Sequence, residues 1–243
     1  MKINVLFGGQ AGQGPNILTN ILGEALVKRG FYVFYGRDYQ SLIRGGHNFN
    51  VLTFSDEPVY SNDSKYDIIL ALDDNTEKLH AGELKEGGEI IKGKKENMYF
   101  AGRLFKVFCL DFSVLDEQLK KLRKRYEENV KEAREGYNDE NREVCRVAFG
   151  KNKNAAFMNG NQGIAQGATK AGLDVYYAYP MTPATNVAGE LAENQVEKNI
   201  LVLELENEIS VINTAIGSAA TGAKAMIGTS GGGFDLMTEA LSL

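Results

Sequence analysis

Short apolar runs alternate with helical stripes along this 243-residue chain, and glycine marks the junctions. That alternation restricts the fold more than any other feature, because parallel strands need a helix-length crossover between them. Ile3 to Phe7 is an apolar run closed by Gly8-Gly9, which suits a buried parallel strand. A helix is expected from about Asn16, with Ile17, Ile21, Leu22, Ala25 and Leu26 on one stripe, Lys28 and Arg29 in its last turn and Gly30 as its C-cap. Tyr32 to Tyr35, Val51 to Phe54 and Ile68 to Leu72 read as further strands, the last running into Asp73-Asp74. Glu83 to Lys95 is rich in glycine and lysine, has no long apolar run, and reads as a surface connection. A long helix is expected from Ser113, opened by a capping-box-like Ser113-Val114-Leu115-Asp116 and carrying Leu115, Leu119, Leu122 and Tyr126 at helical spacing. Glu117/Lys121 and Glu127/Lys131 lie four apart on its solvated face.

Asn138 to Lys153 is polar and reads as a linker, and a second α/β unit follows. Gly163 to Ala171 reads as a helix and Val175 to Tyr179 as a strand; Pro183 suits the first position of the next helix, with Thr182 as its N-cap. Ile200 to Leu203 is a strand, Glu206 to Ala220 a helix, Ala225 to Thr229 a strand, and Phe234 onward a helix. The expected architecture is therefore α/β, with two tandem open, mostly parallel sheets flanked by helices, the second incomplete.

The composition, 43% hydrophobic and 24% charged, is that of a folded chain, and the formal charge of -5 gives no basic face for nucleic acid. The N-terminus lacks a signal-peptide pattern and no apolar run reaches bilayer length, so a cytoplasmic chain without a membrane segment is expected. Cys109 and Cys145 are too few for an iron–sulfur cluster and read as structural thiols.

Three motifs carry chemistry. Gly8-Gly9-Gln10-Ala11-Gly12-Gln13-Gly14 joins a strand to a helix, where glycines permit a tight turn and the helix N-terminus presents N–H groups to an anion. The same residues also suit a tight turn with no ligand. Arg44-Gly45-Gly46, an arginine between accessible backbone, suits a phosphate or carboxylate clamp, or a plain surface loop. Tyr179-Pro180-Met181-Thr182-Pro183 fixes a strand exit and brings a hydroxyl and a helix N-terminus to one spot, which is also what a simply capped helix needs.

The glycine turn, its helix and the Arg44-Gly45-Gly46 loop together resemble the gamma domain of 2-oxoacid:ferredoxin oxidoreductases, over residues 1–137 with a linker at 138–153. From 154 to 243 the chain resembles the opening, pyrimidine-binding part of the alpha subunit of the same family. Tyr179–Pro183 matches its YPITP motif, and Gly160-Asn161, Glu206-Asn207-Glu208, Ile216-Gly217 and Thr229–Phe234 match its GN, EDE, IG and TSGPG elements in order. Asn207 and Gly232 depart from those patterns, and the stretch from Ile91 to Met98 is shorter than the family's, which carries a further strand and loop there.

The resemblance implies a thiamine diphosphate enzyme that decarboxylates a 2-oxoacid, forms an acyl-CoA and passes electrons to ferredoxin. Residue by residue, it makes Glu206 the glutamate on the aminopyrimidine ring and gives Thr182 the substrate carboxylate, with Pro180 lining the pocket. A buried carboxyl that retains its proton suits the first role. Gly12, Gln13, Gly14, Arg44, Gly45 and Gly46 fall near coenzyme A. Mg2+, the diphosphate site and [4Fe-4S] clusters are assigned to a beta or accessory subunit, leaving this chain inactive without its partner. Two other readings fit the same residues: a non-redox nucleotide-binding module, and a subunit with only an assembly role.

Overall fold

A computed structural model gives the fold and describes residues 1–39, 45–93, 95–122, 124–142, 150–152 and 155–242. The chain divides into two compact units, Met1–Phe157 and Met158–Leu243. The first runs β1 (Lys2–Ala11), α1 (Pro15–Lys28), β2 (Tyr32–Asp38), β3 (Gly45–Ser55), β4 (Tyr66–Ala71), α2 (Asp74–His80), a 3-10 turn (Ala81–Glu83), β5 (Leu84–Lys92), α3 (Asn97–Val107), α4 (Phe112–Lys121) and α5 (Tyr126–Asp139). Its strands are ordered β2-β3-β1-β4-β5, and β3 alone runs against the others.

The period-two alternation of strands divides this sheet into two faces. Val5, Phe7, Leu52, Phe54, Ile68 and Leu70 face a core shared with α1, α3 and α4. Leu6, Val51, Tyr66 and Ile69 form the opposite cluster. Edge-on aromatic contacts fill the larger core, Phe31 to Phe54 at 5.8 Å and Phe54 to Phe108 at 5.2 Å between centroids. Each such fully buried side chain stabilises the fold by about 1.5–3 kcal/mol before conformational entropy is counted.

Several expectations are corrected. The connection expected at Glu83 to Lys95 contains β5, an edge strand parallel to β4 with Ile91 fully buried. An edge strand is paired on one side only, so a single buried isoleucine beside Ile90 suffices among charged neighbours. The single long helix from Ser113 is two helices, because Arg125 takes a left-handed φ of 50° between α4 and α5. The capping box does not form; Asp111 is the N-cap residue and makes no side-chain cap bond. Glu117 and Lys121 each pair with α1 instead of each other, Glu117 with Lys28 at 3.4 Å and Lys121 with Glu24.

Part of the polar stretch from 138 to 153 is fastened to the first unit. Gly150 N donates to Arg29 O at 2.9 Å and Asn152 N to Gly30 O at 3.0 Å, and Phe157 stacks on Tyr35. Glu140 is buried between Arg103 and Arg142, at 2.8 Å from each. Residues 143–149, Cys145 among them, lie outside the described residues.

The second unit runs α6 (Gly160–Lys170), β6 (Val175–Ala178), α7 (Thr185–Ala192), α8 (Gln195–Lys198), β7 (Leu201–Glu204), α9 (Glu208–Ala220), β8 (Ala225–Gly228) and α10 (Gly233–Met237). Its sheet, β7-β6-β8, is wholly parallel. Tyr176 and Ala178 point toward α6 and α7, while Val175 and Tyr177 point toward α9 and α10, so helices cover both faces. Asn159 and Gln162 close a capping box at α6. Thr182 is not the N-cap of α7: that helix begins two residues beyond Pro183, after a turn in which Thr185 N donates to Met181 O at 3.1 Å. Glu206 likewise precedes its helix, because Asn207 is the N-cap of α9 and accepts from Ser210 N at 2.8 Å. Among the described residues no helix is long and apolar enough to cross a membrane.

Candidate functional site

In both sheets neighbouring parallel strands send their chains to opposite faces, and it is at such a switch point that open α/β sheets bind ligands. In the first unit it lies between the carboxyl ends of β1 and β4. Leu72 N donates to Gly8 O at 2.9 Å, joining the two exits. The Gln13 side chain is spent on shaping the turn, since its Oε1 accepts from Gln10 N at 2.7 Å and its Nε2 reaches Leu72 O at 3.4 Å. Gly12 has φ 98° and no described atom within 4 Å of where a β-carbon would stand, so its backbone is open to a ligand. Gly14 has φ 89° and caps α1, where a β-carbon would fall 2.4 Å from Asn97 Nδ2. Gly45 opens β3 opposite Ala11, and Gly46 follows at φ 69°. Arg44 lies outside the described residues.

In the second unit the exits of β6, β7 and β8 lie at one end of the sheet. Met181 Sδ stands 3.9 Å from the β-carbon position of Gly231, so the Tyr179–Pro183 and Thr229–Gly233 turns adjoin. Pro180, Thr182 and Glu206 are exposed at this end. Glu208, first residue of α9, is only 5% exposed. A β-carbon on Gly233 would fall 2.8 Å from Glu208 Oε1 and 2.1 Å from Thr229 Oγ1, which places this carboxylate and this hydroxyl side by side. Thr229 Oγ1 is buried without a hydrogen-bond partner.

Of the two glutamates at this end, Glu206 is exposed and Glu208 is buried. A helix N-terminus steadies a carboxylate there, and the unpaired Thr229 hydroxyl leaves hydrogen-bonding capacity for a ligand. The signal was local: asparagine is among the strongest N-cap residues, so Asn207 sets Glu208 as the first helical residue. Among the described residues no cluster of histidine, cysteine, aspartate and glutamate suits a metal ion.

The family profile described as pyruvate ferredoxin/flavodoxin oxidoreductase matches residues 4–96, and that described as pyruvate flavodoxin/ferredoxin oxidoreductase, thiamine diP-binding, matches residues 166–243. The chain thus carries, in tandem, two domains of the pyruvate ferredoxin/flavodoxin oxidoreductase type. The alpha subunit of 2-oxoacid:ferredoxin oxidoreductase from Sulfolobus sp is 25% identical over 99% of this chain and 52% of its own length. The 2-oxoglutarate synthase subunit KorA of Methanocaldococcus jannaschii is 43% identical over 83 residues, 34% of this chain and 23% of its own. The chain spans about half the length of the full-length relatives it matches. A solved 2-oxoglutarate:ferredoxin oxidoreductase from Magnetococcus marinus, which holds 2-oxoglutarate, coenzyme A and succinyl-CoA, shares the fold with a TM-score of 0.82 at 23% identity, over 99% of this chain and 49% of that one.

Proposed function

We propose that this chain is a subunit, or part of one, of a thiamine diphosphate-dependent 2-oxoacid:ferredoxin oxidoreductase, which converts a 2-oxoacid to an acyl-CoA and passes electrons to ferredoxin. Residues 1–137 serve as its gamma-type domain and 154–243 as its pyrimidine-binding domain. A beta subunit completes the catalytic centre and supplies Mg2+ and the [4Fe-4S] clusters. The observation that carries the reading is Glu208, a buried carboxylate at the ligand end of a parallel sheet beside the unpaired Thr229 hydroxyl.

When bound, thiamine diphosphate supplies the carbon nucleophile and the electron sink for decarboxylation. Glu208 would face the aminopyrimidine ring and hydrogen-bond its nitrogen, in a position from which its burial excludes water. Thr229 Oγ1, buried and unpaired beside it, would offer a further hydrogen bond to the ring. Thr182, exposed at the neighbouring exit, donates its hydroxyl to the 2-oxoacid carboxylate, with Pro180 beside it. Glu206, exposed on the rim, is the second carboxylate within the same exits. In the first unit the open backbone at Gly12 and the N-terminus of α1 receive phosphate oxygens of coenzyme A, with Gln13, Gly14, Gly45 and Gly46 shaping the turns and Arg44 supplying charge.

The test is dye reduction under strict anaerobiosis by the native complex, with a panel of 2-oxoacids, with and without coenzyme A. Coenzyme A-dependent reduction is expected, reduced about 10²-fold or more in Glu208→Gln and less than tenfold in Glu206→Gln. The reverse order moves the ring contact to Glu206. No reduction with any 2-oxoacid, from a complex shown to hold its thiamine diphosphate and clusters, overturns the reading.

A further inference from the structure

The chain has two histidines, and they meet. His47 on β3 and His80 at the end of α2 face each other Nε2 to Nε2 at 2.7 Å, and His80 Nδ1 lies 2.5 Å from Glu83 Oε2. Phe49 stacks on His47 and tilts against His80 at 4.8 Å, and Tyr66 closes on His80 edge-on at 6.5 Å. His80 is 8% exposed. The contact falls beside the candidate coenzyme turn, since in the β1–β3 ladder Gly45 is paired with Ala11 and Asn48 with Gly9. A metal ion does not fit between the rings, because two metal–nitrogen bonds of about 2.0–2.1 Å need more separation than this.

A contact of 2.7 Å between two ring nitrogens requires one to donate and the other to accept. The Glu83 carboxylate accepts from His80 Nδ1–H, so a neutral His80 offers Nε2 as acceptor and His47 Nε2–H donates into it. His47 Nδ1 is then a lone pair, and it is buried without a partner, as is Asp73 Oδ2 at the cap of α2. One added proton is tolerated, because a charged His80 donates from Nε2 to a neutral His47. A second is not: two imidazolium rings have no acceptor between them and repel.

We propose that Glu83, His80 and His47 are proton-linked positioning residues, which hold the start of β3 in register with Gly9 and Ala11 while the pair carries at most one positive charge. The assignment of this turn to coenzyme A rests on the function proposed above. Burial, and then the charge of His80, lowers the His47 pKa from its ordinary 6.5, while Asp73 and Asp38 pull the other way. Glu83 and Tyr66 are the other ionisable groups against the pair. Because the folded chain holds His47 below 6.5, the contact is complete above that pH and is lost as pH falls through the lowered value.

Two histidines give two imidazole sets in long-range proton–nitrogen spectra of the labelled full chain, assigned with His47→Gln. A Nδ1–H tautomer at His80 and two unequal, coupled titration steps are expected, the lower below pH 6.5. In the native complex the KM for coenzyme A rises about fivefold or more as pH falls through the lower step. That rise is absent in His47→Gln, whose carboxamide keeps a hydrogen bond but does not titrate. Two independent titrations at ordinary values, or an unchanged KM profile in the variant, overturn the proposal. The wild-type spectra decide it even if the variant does not fold. Turnover independent of coenzyme A overturns the coenzyme assignment instead, and the coupled titration alone then decides whether the pair acts as a unit.

Discussion

Several helical glycines of the two units do opposite things. In the first, Gly102 of α3 and Gly136 of α5 let two backbones touch: β-carbons there would stand 1.8 Å from Ala133 O and 1.9 Å from Tyr99 O. In the second, Gly160, Gly167, Gly189 and Gly217 have no described atom within 4 Å of their β-carbon positions. A mid-helix glycine costs roughly 0.5–1 kcal/mol relative to alanine. Gly102 and Gly136 offset that cost by close packing, whereas at Gly167, Gly189 and Gly217 no described atom does; Gly233, packed on Thr229 and Glu208 at the start of α10, is an exception in the second unit. Buried polar groups do not follow this division, since both units hold engaged and unpaired ones. Glu140 of the first unit is fully engaged by two arginines, but His47 Nδ1 and Asp73 Oδ2 there are buried and unpaired, as are Thr229 Oγ1 and Tyr176 OH of the second. What sets the second unit apart is the open faces of several of its helical glycines, with an unpaired hydroxyl beside Glu208.

The largest expected effect tests the Glu140 cluster of the first unit. Glu140 receives Arg103 Nε at 2.9 Å, Arg142 Nε at 2.8 Å and Arg142 N at 3.0 Å. Burial alone would raise its pKa, but the hydrogen bonds from Arg142 and Arg103 outweigh it and hold the carboxyl at about 2, down from 4.5. Glu140→Ala strands a mostly buried Arg103 and is expected to cost about 3 kcal/mol in denaturant unfolding. In the wild type this contribution is present above pH 4.5 and lost as pH falls toward about 2. A variant as stable as wild type, with the same acid limb, would mean that the pair contributes nothing net. Next in size is Gly102→Ala, expected to cost about 2–3 kcal/mol because a backbone carbonyl cannot move aside as a side chain can. An unchanged Tm would show that α3 and α5 can separate freely.

The sequence discloses such contrasts unevenly. β1, α1, β4, β6 and β8 are legible because apolar runs of strand length end in glycine or a capping residue. β5 is not, since Ile90 and Ile91 are its main apolar content and an edge strand needs little more. The stripe of α3, Met98, Ala101, Leu104 and Phe105, is present in the sequence and marks a helix by spacing alone. The site divides similarly. Thr182, Glu206 and the glycine turns stand at strand exits, as the motifs imply, but motif order cannot say which glutamate is buried; the N-cap at Asn207 can. The His47–His80 pair lies beyond any local reading, because it joins residues on different elements across the sheet face.

The smallest effect sharpens the comparison most, because its sign is opposite in the two units. Gly217 lies inside α9 with no described atom near its β-carbon position, so alanine there adds no clash and restores helix propensity. In the chain alone Gly217→Ala is expected to stabilise by about 0.5–1 kcal/mol, against the loss at Gly102. The native complex then separates two reasons for the glycine. If a partner subunit packs against this face, the same alanine weakens assembly while raising the stability of the free chain, and thermal unfolding of both forms would move in opposite directions. If both rise together, the glycine face serves no partner, and what distinguishes the second unit reduces to the unpaired Thr229 hydroxyl beside Glu208.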